Sequence, residues 1–150
     1  MSKKSISFKT KLGYLTAIDE KNNLIVIKFS KSTINQPSNL LKKFKLNIKD
    51  FFEKRKKLKV FPYKMQGTRN QKNVWREISK IKHGTTKTYM EIGDKVNLHP
   101  RIVGRICGQN KLLLIVPCHR VIKSNGSMGG FSSKGGIKLK KKLLSLEKSN

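Results

Sequence analysis

The chain has 150 residues, enough for one compact domain, or a main domain with a small companion, and too few for much more. Its 35 Lys and Arg stand against 8 Asp and Glu, a formal net charge of +27, so a polyanion such as nucleic acid is strongly attracted at moderate salt. Two cysteines without paired spacing argue against a disulfide framework, three histidines without metal-ligand spacing indicate no metal site, and no apolar run approaches membrane-spanning length. The Lys-rich N-terminus lacks the apolar core of a signal peptide, and the expected protein is soluble and cytoplasmic. The excess of Lys over Arg, alongside many Asn and Ile, also fits an AT-rich genome with much of the charge merely solvated.

In chain order, Leu12 to Ile18, the turn-like Glu20-Lys21-Asn22-Asn23 and Leu24 to Phe29 predict a β-hairpin. After a polar stretch around Pro37, Leu41, Phe44, Ile48 and Phe52 recur at helical spacing. Pro62 and Gly67 mark a linker, which divides the chain near residue 65 into segments 1–65 and 66–150. Thr68 with Gln71 makes a capping-box pattern ahead of the stripe Val74, Trp75, Ile78 and Ile81, and Gly84 is expected to stop that helix. Thr88 with Glu91 repeats the start signal before Tyr89, Ile92 and Val96. Pro100 suits the first turn of a further helix with Ile102, Val103 and Ile106 inward and Arg101, Arg105 and Gln109 on another face. Two short helices on a tight link, the second carrying arginines, look like a helix-turn-helix, although a plain helical hairpin with a solvated basic face has the same pattern. Leu112 to Val116 reads as a buried strand, Ser124 to Gly136 as a Gly/Ser-rich loop, and Ile137 to Glu147 as a final helix with Leu139, Leu143 and Leu146 inside. The lysine clusters 54–59 and 138–142 are short enough to be helix faces or loops.

The run Pro117-Cys118-His119-Arg120-Val121 carries the chemistry. A free thiol titrates near ~8.5, so its reactivity at neutral pH depends on a neighbouring base or positive charge. His119 is the nearest candidate base. Adjacent residues on an extended strand point to opposite faces, however, so a bridging water or a kink after Pro117 is needed to couple the two. Glu147 is the candidate acid to orient the imidazole, because carboxylates are few in this half and Glu147 ends the last helix. Each of the three also has a purely structural reading, as a small buried hydrophobe, a hydrogen-bonding core imidazole and a tail charge.

The string Ile115-Val116-Pro117-Cys118-His119-Arg120-Val121-Ile122, followed by Ser124-Asn125-Gly126-Ser127-Met128-Gly129-Gly130-Phe131, resembles the active-site signature of the O6-alkylguanine-DNA alkyltransferases. Gly67-Thr68, Gln71, Val74-Trp75, Ile78, Ile81, Gly84, Thr88-Tyr89, Glu91-Ile92, Pro100-Arg101, Val103-Gly104, Asn110, Gly135-Gly136 and Leu143-Leu144 with Glu147 fall in the same family order. The resemblance covers residues 66–147 strongly and the N-terminal hairpin and helix weakly.

That resemblance implies an α/β fold, with a small N-terminal ribonuclease-H-like α/β domain and a mainly helical C-terminal domain containing a helix-turn-helix. It implies a monomer that binds double-stranded DNA containing O6-alkylguanine, flips the base, and takes the alkyl group onto Cys118 once and irreversibly, with no cofactor. His119 would act as base through a water, Glu147 would orient His119, and Asn110 would brace the turn carrying the cysteine. Tyr89, Arg101, Arg105, Thr88 and Gly104 would contact DNA, with Arg101 entering the stack. Val121, Ser132, Ser133 and Phe131 would line the base pocket. O4-alkylthymine is a second possible substrate. The chain departs from the pattern in a helix-turn-helix link about two residues shorter than in many members, in a loop longer by Ser-Lys before Gly135-Gly136, in Phe131 where tyrosine is common, in Asn70-Gln71 for Phe-Gln, and in lacking the zinc ligands of some relatives. Two rivals make other predictions. An alkyltransferase-like damage sensor flips the base without repairing it and lacks the cysteine, and a Cys-His hydrolase leaves the helix-turn-helix unexplained.

Overall fold

The computed structural model describes residues 3–129 and 136–148. The chain opens with a three-stranded antiparallel meander, β1 (Lys4–Thr10), β2 (Gly13–Glu20) and β3 (Asn23–Lys28). The hairpin turns where expected, with Lys21 and Asn22 both at positive φ as a two-residue type I′ loop requires. The reading missed β1, whose Ile6 and Phe8 alternate with polar residues and bury against β2. Helix α1 (Asn39–Glu53) starts at Ser38, whose Oγ accepts from the Leu41 N–H and itself bonds Asp19, and its face of Leu41, Phe44, Ile48, Phe51 and Phe52 covers the sheet.

Edge strand β3 is not left open. Its Leu24 N–H donates to Pro62 O at 2.9 Å and its Leu24 carbonyl accepts from Lys64 N–H, so the segment expected as a linker lies against the sheet. Further along, Ile27 N–H donates to Lys111 O at 2.8 Å and Leu113 N–H donates to Ile27 O, which fastens the sheet to the segment leading to Cys118. Pairing both sites satisfies the edge and fixes the second half of the chain against the first.

The second half contains α2 (Arg69–Ile78), a two-residue β4 (Lys87–Thr88), α3 (Tyr89–Val96), α4 (Pro100–Cys107), a two-residue β5 (Val121–Ile122) parallel to β4, and α5 (Gly136–Lys148). Both expected capping boxes form, with Thr68 Oγ1 accepting from Gln71 N–H and Thr88 Oγ1 accepting from Glu91 N–H. Helix α2 ends at Ile78 and not at Gly84. There, Lys80 N–H bonds Glu77 O and Ile81 N–H bonds Ile78 O, and these i to i−3 contacts tighten and close the last turn while Ile81 stays buried. Three residues, with Asn97 in the left-handed conformation, join α3 to α4, and Pro100 sits at the start of α4 as anticipated. Trp75 Nε1 donates to Ile106 O at 3.3 Å, locking α2 across the pair.

Leu112 to Val116 is not a strand. Leu112, Leu113, Leu114 and Val116 are buried, but Val116 N–H donates back to Leu112 O at 2.8 Å and Leu114 has φ 74°, so the run closes into a turn. Asn110 holds both ends, its Nδ2 donating to Val116 O at 2.8 Å and its Oδ1 accepting from Leu112 N–H at 2.9 Å. An all-apolar run shows that a segment is buried and does not by itself choose between extended and turned backbone. The α/β class expected from the sequence is borne out, and no described helix is long and apolar enough to cross a membrane.

Candidate active site

Pro117 has φ −81° and ψ 65°, the values of an inverse γ-turn, and Cys118 N–H closes that turn on Val116 O at 2.8 Å. Cys118–Arg120 then form one 3₁₀ turn, with Arg120 N–H donating to Pro117 O. Of the two routes to coupling, a bridging water or a kink after Pro117, the kink is present, and the opposite-face geometry of an extended strand does not apply. The clamped turn beneath the cysteine fixes where its side chain starts.

Behind this turn lies a buried ionic cluster centred on Glu147 of α5. Its Oε2 sits 2.9 Å from His119 Nε2 and 2.6 Å from an Arg120 Nη, its Oε1 accepts from Arg120 Nε at 2.9 Å, and another Arg120 Nη donates to Ile81 O at 2.8 Å. Burial alone would raise the Glu147 pKa, but hydrogen bonds from His119 and Arg120 outweigh it and bring the carboxyl down to about 2. Burial holds the His119 pKa below its ordinary value in spite of Glu147, so the imidazole is neutral at pH 7. Because a carboxylate can only accept, the single ring proton of His119 lies on Nε2, which leaves the Nδ1 lone pair as the basic position.

Around the thiol itself, burial raises the Cys118 pKa well above that of a free cysteine and contact with the Cys107 thiol adds to the rise, while Lys140 and the Asn110 amide oppose it. The resting sulfur is thus a thiol, and a base is needed to expose its nucleophilic form. Lys140 is fully buried on α5, with its Nζ donating to Tyr89 Oη at 3.1 Å and standing 5.4 Å from the ring centroid. Burial raises the Tyr89 pKa well beyond that of a free phenol, so its hydroxyl keeps its proton and can donate.

Tyr89 also forms the floor of a second feature. With Met90, Pro100, Arg101, Gly104, Lys123, Ser124 and Gly129 it lines a cavity at the start of α4. The glycines there make room for the ring, since a Cβ on Gly129 would lie 2.0 Å from Tyr89 Oη and one on Gly104 3.8 Å from the ring. Sequence-expected residues Tyr89, Arg101 and Gly104 are brought together here, and Cys118, His119, Glu147 and Asn110 around the buried turn. Arg105 is exposed on α4, Thr88 caps α3 and pairs with Ile122, and Val121 is buried in β5. Phe131, Ser132 and Ser133 lie outside the described residues. Among the described residues, no group of three or more His, Cys, Asp or Glu could hold a metal ion. Sequence reasoning missed Arg120, Lys140 and Cys107. Arg120 carried a signal in its adjacency to His119 and the scarcity of carboxylates, whereas Lys140 looked like one more lysine of a basic run.

A basic helix-turn-helix packed beside a buried cysteine, with a neutral imidazole and a carboxylate behind it, defines a DNA-binding protein of thiol chemistry. Residues 69–149 match the family described as 6-O-methylguanine DNA methyltransferase, DNA binding domain. The chain is 32% identical over 146 residues to the methylated-DNA–protein-cysteine methyltransferase of Metallosphaera sedula, covering 95% of this chain and 92% of that one. It superimposes with a TM-score of 0.86 on the Mycobacterium tuberculosis O6-methylguanine methyltransferase, at 28% identity over 99% of this chain and 94% of that one. For the M. tuberculosis structure in complex with DNA the TM-score is 0.83, at 28% identity over 97% and 92% of the two chains. The chain belongs to the 6-O-methylguanine DNA methyltransferase family.

Proposed function

We propose that this protein repairs DNA by direct reversal, moving the alkyl group of O6-methylguanine in duplex DNA onto Cys118 in a single irreversible step. The observation that carries this reading is the Cys118–Arg120 turn backed by Glu147, which sets a neutral His119 one residue from a buried thiol and leaves Nδ1 as its base. A water between Nδ1 and the thiol would carry the Cys118 proton to His119, and Glu147 would support the imidazolium that forms. The sulfur then attacks the methyl carbon, the carbon–O6 bond breaks with its electron pair going to guanine, and a proton from the relay or a donor completes the restored base. The product is a thioether, which is a poor leaving group, so each chain acts once and needs no cofactor.

A base within the stack cannot reach a buried sulfur. Flipping it costs a few kcal/mol. Arg101, exposed at the start of α4, would fill the gap, while Gly104 and Arg105 of α4 and Thr88 at the start of α3 would contact the backbone. Tyr89, whose oxygen already accepts from Lys140, would direct its own O–H toward the flipped base or the adjoining phosphate. Asn110 would hold the cysteine turn in place, with Val121, Phe131, Ser132 and Ser133 as pocket walls. In this reading residues 1–65 are the ribonuclease-H-like support and 66–150 the DNA-binding and alkyl-transfer domain, acting as a monomer in the cytoplasm. O4-methylthymine is a second candidate substrate.

The test is a peptide-resolved mass measurement after incubation with a duplex containing O6-methylguanine. A methyl adduct on the Cys118 peptide is expected, and none on a Cys118→Ala variant that still binds the duplex. Restoration of guanine by that variant would overturn the reading.

A further inference from the structure

One titratable group beside the Glu147 cluster takes no part in the steps above. His83 lies in the segment between α2 and β4, just before Gly84, and its side chain is 10% exposed. Its Nδ1 is 3.8 Å from Glu147 Oε2, the same oxygen that bonds His119 Nε2 at 2.9 Å. Two imidazoles on separate segments therefore converge on one carboxylate oxygen. Their access to protons differs. His119 is wholly buried, whereas His83 and Arg120 line a cavity whose wall includes the exposed Lys57, Lys59 and Val60.

We infer that His83 is a positioning residue for alkyl transfer, sharing Glu147 Oε2 with His119, and that a proton taken up by His83 withdraws the carboxylate's support from His119 and slows the reaction. The inference rests on the function proposed above. The carboxylate is already balanced by the Arg120 guanidinium, so it can favour one further positive charge nearby far better than two. A proton on His83 opposes the one that His119 must accept from the thiol. Among the described groups, those that face His83 include Phe51 of α1, whose ring it meets edge-on with centroids 6.1 Å apart, Lys57 beyond α1, Arg120 of the 3₁₀ turn and Glu147 of α5. Burial, Arg120 and Lys57 disfavour the charged form and Glu147 favours it, with a net lowering from the usual 6.5, so the brake engages on the acid side of neutrality and is released at pH 7 and above.

The experiment compares single-turnover methyl transfer by the wild type, His83→Phe and His83→Gln between about pH 5.5 and 8. The phenyl ring preserves the packing on Phe51, and the amide provides a second neutral replacement should the first fold poorly. Each neutral variant is expected to keep more of its activity in acid, reducing the ratio of rates at the two ends of the range by about threefold, which corresponds to half a pKa unit of coupling. NMR titration of the His119 ring is the second readout, with its protonation expected at higher pH in the variants. Superimposable normalised pH profiles and an unchanged His119 titration would overturn the inference, and a purely structural role would alter thermal stability alone. Were the wild type to transfer no methyl group, the repair reading would fail, while the NMR titration would still decide whether the imidazoles are coupled.

Discussion

At the scale of single residues, burial makes the Cys118 thiol less acidic and holds the His119 imidazole neutral, so the proposed transfer calls for a base and His119 is the candidate. Replacing His119 by Ala is expected to slow single-turnover methyl transfer by about 100-fold or more, within the span ordinary for a general base. Arg120→Ala leaves the Glu147 carboxylate without its bidentate partner, and chemical denaturation should show a loss of about 3–5 kcal/mol. Glu147 also links stability to pH. Its folded pKa of about 2 lies below the unfolded value of 4.5, so its contribution is complete above about pH 4.5 and is lost as pH falls toward 2. Thermal melts across that window should fall less steeply for Glu147→Gln than for the wild type, and parallel curves would show that the carboxylate is not held by these partners.

At the scale of elements, the helix starts were legible because they are written in local chemistry. Thr68 with Gln71, Thr88 with Glu91, and Pro100 at the head of α4 each satisfy helix-end groups with residues a few positions away. The apolar run before Cys118 was legible only as buried. Its turn depends on the Asn110 side chain closing onto Val116 O, which no periodic pattern marks, and on the hold of Ile27 from β3, which is remote in sequence. Lys140 was hidden for the same reason, since nothing in 138–142 marks which lysine faces Tyr89. Tests at this scale follow from the contacts. Asn110→Ala removes both clamps and should cost about 1–3 kcal/mol in denaturation while slowing transfer, because the Leu112 N–H loses its acceptor and Val116 O keeps only the bond from Cys118 N–H. Arg101→Ala should slow transfer from duplex far more than from the free methylated base, and equal slowing would remove Arg101 from base flipping.

At the scale of the molecule, a net charge of +27 favours association with a polyanion such as DNA, while the proposed chemistry is confined to Cys118. Affinity for unmodified duplex should fall steeply with salt, and neutralising Arg101 or Arg105 should reduce the log–log slope by about one each. An unchanged slope would place the duplex elsewhere than on α4. The candidate site was legible at Cys118, His119 and Glu147 because their residue types are rare in this half of the chain, whereas the sheet's hold on the cysteine turn, through Ile27 and Leu113, appears only once the two halves are packed. The most direct test of single-use alkyl transfer is a titration of limiting protein with excess methylated duplex. Guanine formed should plateau at one equivalent per chain, with the methyl group recovered on Cys118. Continued turnover beyond one equivalent, or a methyl group on any other residue, would contradict it.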